Sequence, residues 1–123
     1  QLRMFASMEK TILCAKIFDL FAVEAEYPWQ KHPSFAVFRH QENRKWFCIY
    51  MEITADKLGL IEQETVSIIN LKAEPMLIGV LRQLDGILPA YHMNKEHWIS
   101  VILDKVDDGQ IIALIEDSFY LTQ

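Results

Sequence analysis

An α+β fold, built as one antiparallel sheet with helices mainly on one of its faces, is what this sequence predicts, and three observations carry the expectation. Residues 35–40 with 45–51, and 88–93 with 98–103, are runs rich in aromatic and β-branched residues joined by short polar turns. Two such hairpins argue for an antiparallel sheet. Apolar stripes at helical spacing lie at both ends of the chain. A chain of 123 residues that is 51% hydrophobic can bury one core without metal or disulfide staples, so a single domain over 1–123 is expected.

The elements follow in order. Residues 2–21 place Phe5, Met8, Ile12, Ala15, Phe18 and Phe21 along one side, broadened by Leu13, Ile17 and Leu20, which predicts a first helix buried on that side. Ala22 stands where Gly is expected to end it. Residues 23–33 break the pattern with two prolines around Tyr27 and Trp29, and predict an ordered crossing loop packed by its rings. The first hairpin turns at Gln41-Glu42-Asn43-Arg44. One helical turn over 56–60 is ended by Gly59, and a third strand over 65–72 precedes Pro75, which opens a second helix at its first-turn position. That helix is expected to run to about Leu84 on a stripe of Leu77, Val80, Leu81 and Leu84, with Glu74 a poor cap before it and Asp85-Gly86 as the stop. Asp107 and Gln110 resemble a capping box for a last helix with the stripe Ile111, Leu114, Ile115, Ser118 and Leu121. The order is α-β(3)-α-β(2)-α.

The densest chemistry lies in residues 89–98, Pro-Ala-Tyr-His-Met-Asn-Lys-Glu-His-Trp. Read as a hairpin with a loop of two or four residues, this stretch sets His92 opposite His97 and predicts an imidazole pair on one face. A stable metal site wants three or four ligands, and only Glu96 or Asp104 stands near in sequence, so a hydrogen-bonded structural pair is the preferred reading and no metal is expected. Asn94 fits the positive φ of a tight turn, and Lys95 a solvated tip. Tyr91 and Trp98 fit hairpin packing, although stacking on bases or partner proteins uses the same rings. Lys72, at a strand end, and Arg82, on the polar side of the second helix, gain weight only if they converge on this hairpin. Trp29, Tyr27 and His32 form a second aromatic–polar cluster, expected to pack under the crossing loop.

Composition narrows the function classes. The net charge is −5 and the pI about 5.3, whereas sequence-independent phosphate binding needs a dense Lys/Arg surface. The four glycines are isolated and form no phosphate loop, so no nucleotide cofactor is expected. No nucleophile motif accompanies the histidines. Cys14 and Cys48 lack Cys-x-x-Cys spacing and read as buried, reduced thiols. No apolar run reaches the roughly 20 residues of a membrane span, which gives the expectation of a soluble, cytoplasmic protein without a membrane partner. The chain opens on Gln1, so upstream residues are expected.

Ile69-Asn70-Leu71-Lys72, Pro75, Arg82, residues 89–95 with His97-Trp98, Leu103-Asp104, and Leu114-Ile115 with Ser118 occur in that order. Together they resemble the MmcQ/YjbR-like family of small bacterial proteins, and the resemblance covers most of the chain from Tyr27 onward. It implies the same α-β(3)-α-β(2)-α layout, similar to type III secretion chaperones and loosely to frataxin-like domains. It also implies a DNA-binding label that derives from architecture, and fold does not fix function. The leading expectation is a non-enzymatic binding module using Lys72, Arg82, Tyr91, His92, Asn94, Lys95, His97 and Trp98. Nucleic acid is the ligand implied by resemblance, and a protein or small anion is equally compatible. The alternatives are a protein-interaction or oligomer module and, last, an enzyme using His92 and His97.

Overall fold

The computed structural model describes residues 8–123. Three helices and a five-stranded antiparallel sheet make up an α+β fold, in the order α1 (Lys10–Phe21), β1 (Ala36–Arg39), β2 (Trp46–Thr54), β3 (Thr65–Lys72), α2 (Pro75–Leu81), β4 (Ile87–Pro89), β5 (Trp98–Ile102) and α3 (Asp108–Leu121). A 3-10 turn over Ala55–Leu58, ended by Gly59 at φ 81°, follows β2. The sheet order is β1-β2-β3-β5-β4.

All three helices cover one face. Leu13 and Ile17 of α1, Ile78 of α2, and Ile111, Leu114 and Ile115 of α3 close over Phe38, Cys48, Tyr50, Ile69, Leu71, Ile87, Ile99 and Val101. These strand residues alternate with a second apolar set, Val37, Ile49, Met51, Ile53, Ile68 and Ile102, that faces the other way. Among the described residues no helix lies over this second set; loops and their rings do.

Local chemistry explains most element ends. Ala22 takes the left-handed conformation at φ 56° and its N–H caps Phe18 O, the role that glycine fills at many helix ends. Asp107 accepts from the Gly109 and Gln110 amides and starts α3. Gly86 needs both its φ of 88° and its missing side chain, because a Cβ there would meet Lys105 Cβ at 2.8 Å.

Two helices differ from expectation in the face they bury. In α1, Ile12, Phe18 and Leu20 are exposed, while Leu13 and Ile17 are fully buried; Phe5 lies outside the described residues. In α2, which stops at Leu81 and passes into tight turns, Ile78 is buried while Leu77, Val80 and Leu84 are exposed. The cause is shared. Both helices are apolar nearly all round, so spacing alone does not fix which side meets the sheet.

Ser118 joins α3 to the sheet at a defect in it. The β1–β2 register slips between Phe38 and Arg39, leaving Phe47 as an extra residue of β2. The Ser118 hydroxyl donates to Phe47 O at 2.6 Å and accepts from the Lys72 amide at 2.9 Å, entering the β2–β3 ladder just beyond its Cys48–Leu71 pair. Nearby, buried His40 lies 2.8 Å from the Thr122 hydroxyl, and burial holds its pKa below the ordinary histidine value. Ser118→Ala orphans a buried carbonyl and an amide at once, so it is expected to cost about 1–3 kcal/mol in urea unfolding. An unchanged unfolding midpoint would contradict the clamp.

Candidate functional site

The second apolar face of the sheet is only partly roofed, and a cavity of about 470 Å³ opens on it. Its floor is the outward row of β2: Ile49, Met51 and Ile53. Trp29, His32 and Phe35 from the crossing loop form one wall with Trp46, while Tyr91, His92 and Met93 form the other. Lys57, Thr54 and Thr65 close the far end of β2.

The crossing loop is held in place by backbone and rings. Glu26 makes an isolated bridge to Val37, exchanging bonds of 2.9 and 2.8 Å, which lays the following residues along β1. Trp29 then meets Trp46 edge to face with centroids 5.7 Å apart and Phe35 at 6.3 Å, and His32 stacks on Phe35 at 4.5 Å. These geometries are those aromatic pairs prefer.

The opposite wall is fixed by side chains in place of a ladder. Strand pairing in the second hairpin ends at Pro89–Ile99, and residues 90–97 form a loop. The Tyr91 amide donates to Ser100 Oγ at 2.8 Å, and Tyr91 O accepts from Asn70 Nδ2 at 2.8 Å. Ser100 Oγ in turn donates to Asn70 Oδ1 at 2.6 Å. Asn70 and Ser100 are paired on adjacent strands and are fully buried. Their side chains therefore take over both backbone groups of Tyr91 and turn the chain off the sheet. His92 follows at φ 56°, its ring stacked on Tyr91 at 3.9 Å.

This geometry corrects the hairpin reading. His92 does not face His97: the expected two- or four-residue loop requires the ladder to continue, and Asn70 and Ser100 end it. The ring of His97 makes no hydrogen bond, ion pair or ring stacking among the described residues; its carbonyl accepts from the Ala73 amide at 3.0 Å. Asn94 is a turn residue through its side chain, Oδ1 accepting from the Glu96 amide at 2.8 Å, and positive φ falls on His92 instead.

Of the eight residues singled out in the sequence, Tyr91 and His92 line the cavity. Trp98 packs half-buried on the same sheet face, paired with Lys72. Lys72 borders a cleft between α2 and α3, and Arg82 caps α2 on the helix-covered side. Asn94, Lys95 and His97 are exposed in the loop and do not line the cavity. The residues missed are Trp46, Phe35, Ile49 and Met51, and one signal marked them. β2 is apolar on both faces in a layout whose helices cover one, so its other row needs a different cover or a ligand.

Polar groups around the rim have spare capacity. The side chain of Lys57 and the rings of His32 and His92 make no hydrogen bond or ion pair among the described residues. Glu52 borders the cavity, but its carboxylate accepts from the Tyr50 hydroxyl at 2.7 Å, and burial raises that phenol to about 12. Among the described residues no group of three or more His, Cys, Asp or Glu is placed to hold a metal ion. Cys48 is fully buried and Cys14 half-buried, both as free thiols. Among the described residues no helix is long and apolar enough to cross a membrane.

The chain belongs to the YjbR family, whose family model matches residues 18–121. It is 44% identical to the uncharacterized protein YyaQ of Bacillus subtilis over 106 residues, 85% of this chain and 90% of that protein. It is 34% identical to the uncharacterized protein YbdF of Escherichia coli O157:H7 over 98 residues, 78% of this chain and 70% of that protein. A crystal structure of a Pseudomonas syringae protein superposes with a TM-score of 0.92 at 44% identity, covering 94% of this chain and all of that one. A Deinococcus radiodurans protein, at a TM-score of 0.68 and 22% identity, shares the fold over 90% of this chain and 75% of its own.

The left-handed backbone at His92 costs an L-residue roughly 1–2 kcal/mol that glycine avoids. Since both variants lose the ring, His92→Gly is expected to unfold about 1 kcal/mol later than His92→Ala. Equal urea stabilities for the two would show that this residue does not hold the positive φ.

Proposed function

We propose that this protein is a binding protein whose ligand is a small, flat, largely apolar molecule held in the cavity on the sheet face that none of the described helices covers. The observation that carries the reading is the convergence of Trp29, Phe35, Trp46 and Tyr91 around a space of about 470 Å³. That volume lies within the range of roughly 300–1,000 Å³ usual for small-molecule pockets, as does an apolar lining with a few polar groups at its rim.

A nucleic-acid ligand is the weaker reading. It draws on Lys72, Arg82 and Lys95 joining the hairpin rings, and none of the three lines the cavity. A net charge of −5 further opposes association with a polyphosphate chain. Contact with another protein is favoured by one observation, the apolar face of α2, where Met76 is 93% and Val80 63% exposed beside Leu77 and Leu84. That helix lies across the sheet from the cavity, so the two readings are independent.

Titration with naphthalene-2-methanol, followed by NMR at the tryptophan indole N–H groups, tests the cavity. Trp29 and Trp46 are expected to shift together and saturably while Trp98, which does not line the cavity, serves as internal reference. Trp46→Leu should weaken the titration by about tenfold, the equivalent of about 1.4 kcal/mol and within the range for loss of one stacking ring. Shifts that are absent, unsaturable or equal at all three indoles would overturn the reading.

A further inference from the structure

We infer that the cavity selects an amphipathic anion, its flat apolar part between the tryptophans and its acidic group at the Lys57 end; this rests on the cavity being a ligand site. The cavity is graded along β2. Trp46 begins that strand and Thr54 ends it, so the aromatic and polar ends of the lining are separated by the length of one strand. Trp29 and Trp46 make the first end apolar. At the other end, Thr54 pairs with Thr65, and Lys57 projects from the turn that follows β2.

The charge at that end is uncompensated within the cavity. Lys57 is the lysine of the lining, and it makes no ion pair among the described residues. Glu52, the carboxylate of the same lining, is held by the Tyr50 hydroxyl, which also lies 3.0 Å from Ser67 Oγ. Tyr50 belongs to the helix-covered face, and Glu52, two residues further along β2, points its carboxylate to that same side. An apolar molecule with no acidic group would leave the ammonium to water alone. A carboxylate gains a charge-assisted hydrogen bond from it.

Because a nine-residue strand rises roughly 27 Å end to end, the discriminating pair carries a spacer between ring and acid: 6-(2-naphthyl)hexanoate and its neutral primary amide, titrated by NMR against the wild-type protein and Lys57→Gln. Wild type is expected to take the carboxylate roughly fivefold more tightly than the amide, the upper end of what an exposed ion pair contributes. Lys57→Gln should abolish that preference and leave the amide's affinity within about twofold, and added salt should shrink the wild-type preference. Equal wild-type affinities would overturn the anion assignment while leaving the cavity reading standing. A preference that survives Lys57→Gln would equally overturn it, since the acidic group would then be read elsewhere. Failure of both compounds to bind would remove the cavity reading and this inference together.

Discussion

Three hydrogen bonds among Asn70, Ser100 and Tyr91 decide the shape of the uncovered sheet face. An amide side chain and a hydroxyl on central strands are costly when buried unless both are fully engaged. Here each engages the other and one backbone group of Tyr91, so the requirement to satisfy two buried polar residues dictates where the chain leaves β4. Three such bonds at a net gain of about 1 kcal/mol each together exceed the roughly 1–2 kcal/mol that left-handed backbone costs at His92. The network therefore sustains the turn that projects Tyr91 and His92 over the sheet.

The rest of the cavity depends on that projection meeting a second one. The Glu26–Val37 bridge lays the crossing loop along β1 and brings Trp29 onto Trp46, so that walls from opposite sheet edges frame the outward row of β2. On the helix side the same strand is locked by Ser118 at the Phe47 irregularity. One rigid strand thus floors the cavity while the helices stabilise it from behind. Loops supply the chemistry and the packed sheet supplies the position, which is the division of labour expected of binding sites.

Much of this was legible in the residues. The third strand spans Thr65–Lys72 as its composition predicts, and Asp107 caps a helix whose buried residues fall on the expected stripe. The faces of α1 and α2 were not legible, because residues such as Ile12 and Leu77 satisfy the apolar pattern as well as Leu13 and Ile78 do. The second hairpin misled for a different reason. Its stop signal is carried by Asn70, 30 residues before its partner Ser100, and no local pattern in residues 88–98 contains it. The candidate site was half legible: Tyr91, His92, Trp29 and His32 stood out as polar–aromatic clusters, but their convergence is a property of sheet order. Lys72 and Arg82 stood out as well, but Lys72, paired with Trp98 on the open face, does not line the cavity, and Arg82 ends α2 on the helix side.

The central claim is that the side chains of Asn70 and Ser100 replace the ladder at Tyr91, and hydrogen exchange at the Tyr91 amide measures it. This amide belongs to no strand, yet the account predicts that it exchanges slowly, as a buried bonded donor does. In Ser100→Ala it should exchange at least about tenfold faster while Ile69 and Leu71 in β3 keep their protection, a change of about 1.4 kcal/mol in local opening. A Tyr91 amide that already exchanges as fast as its exposed loop neighbours, or one that Ser100→Ala leaves unchanged, would contradict the account.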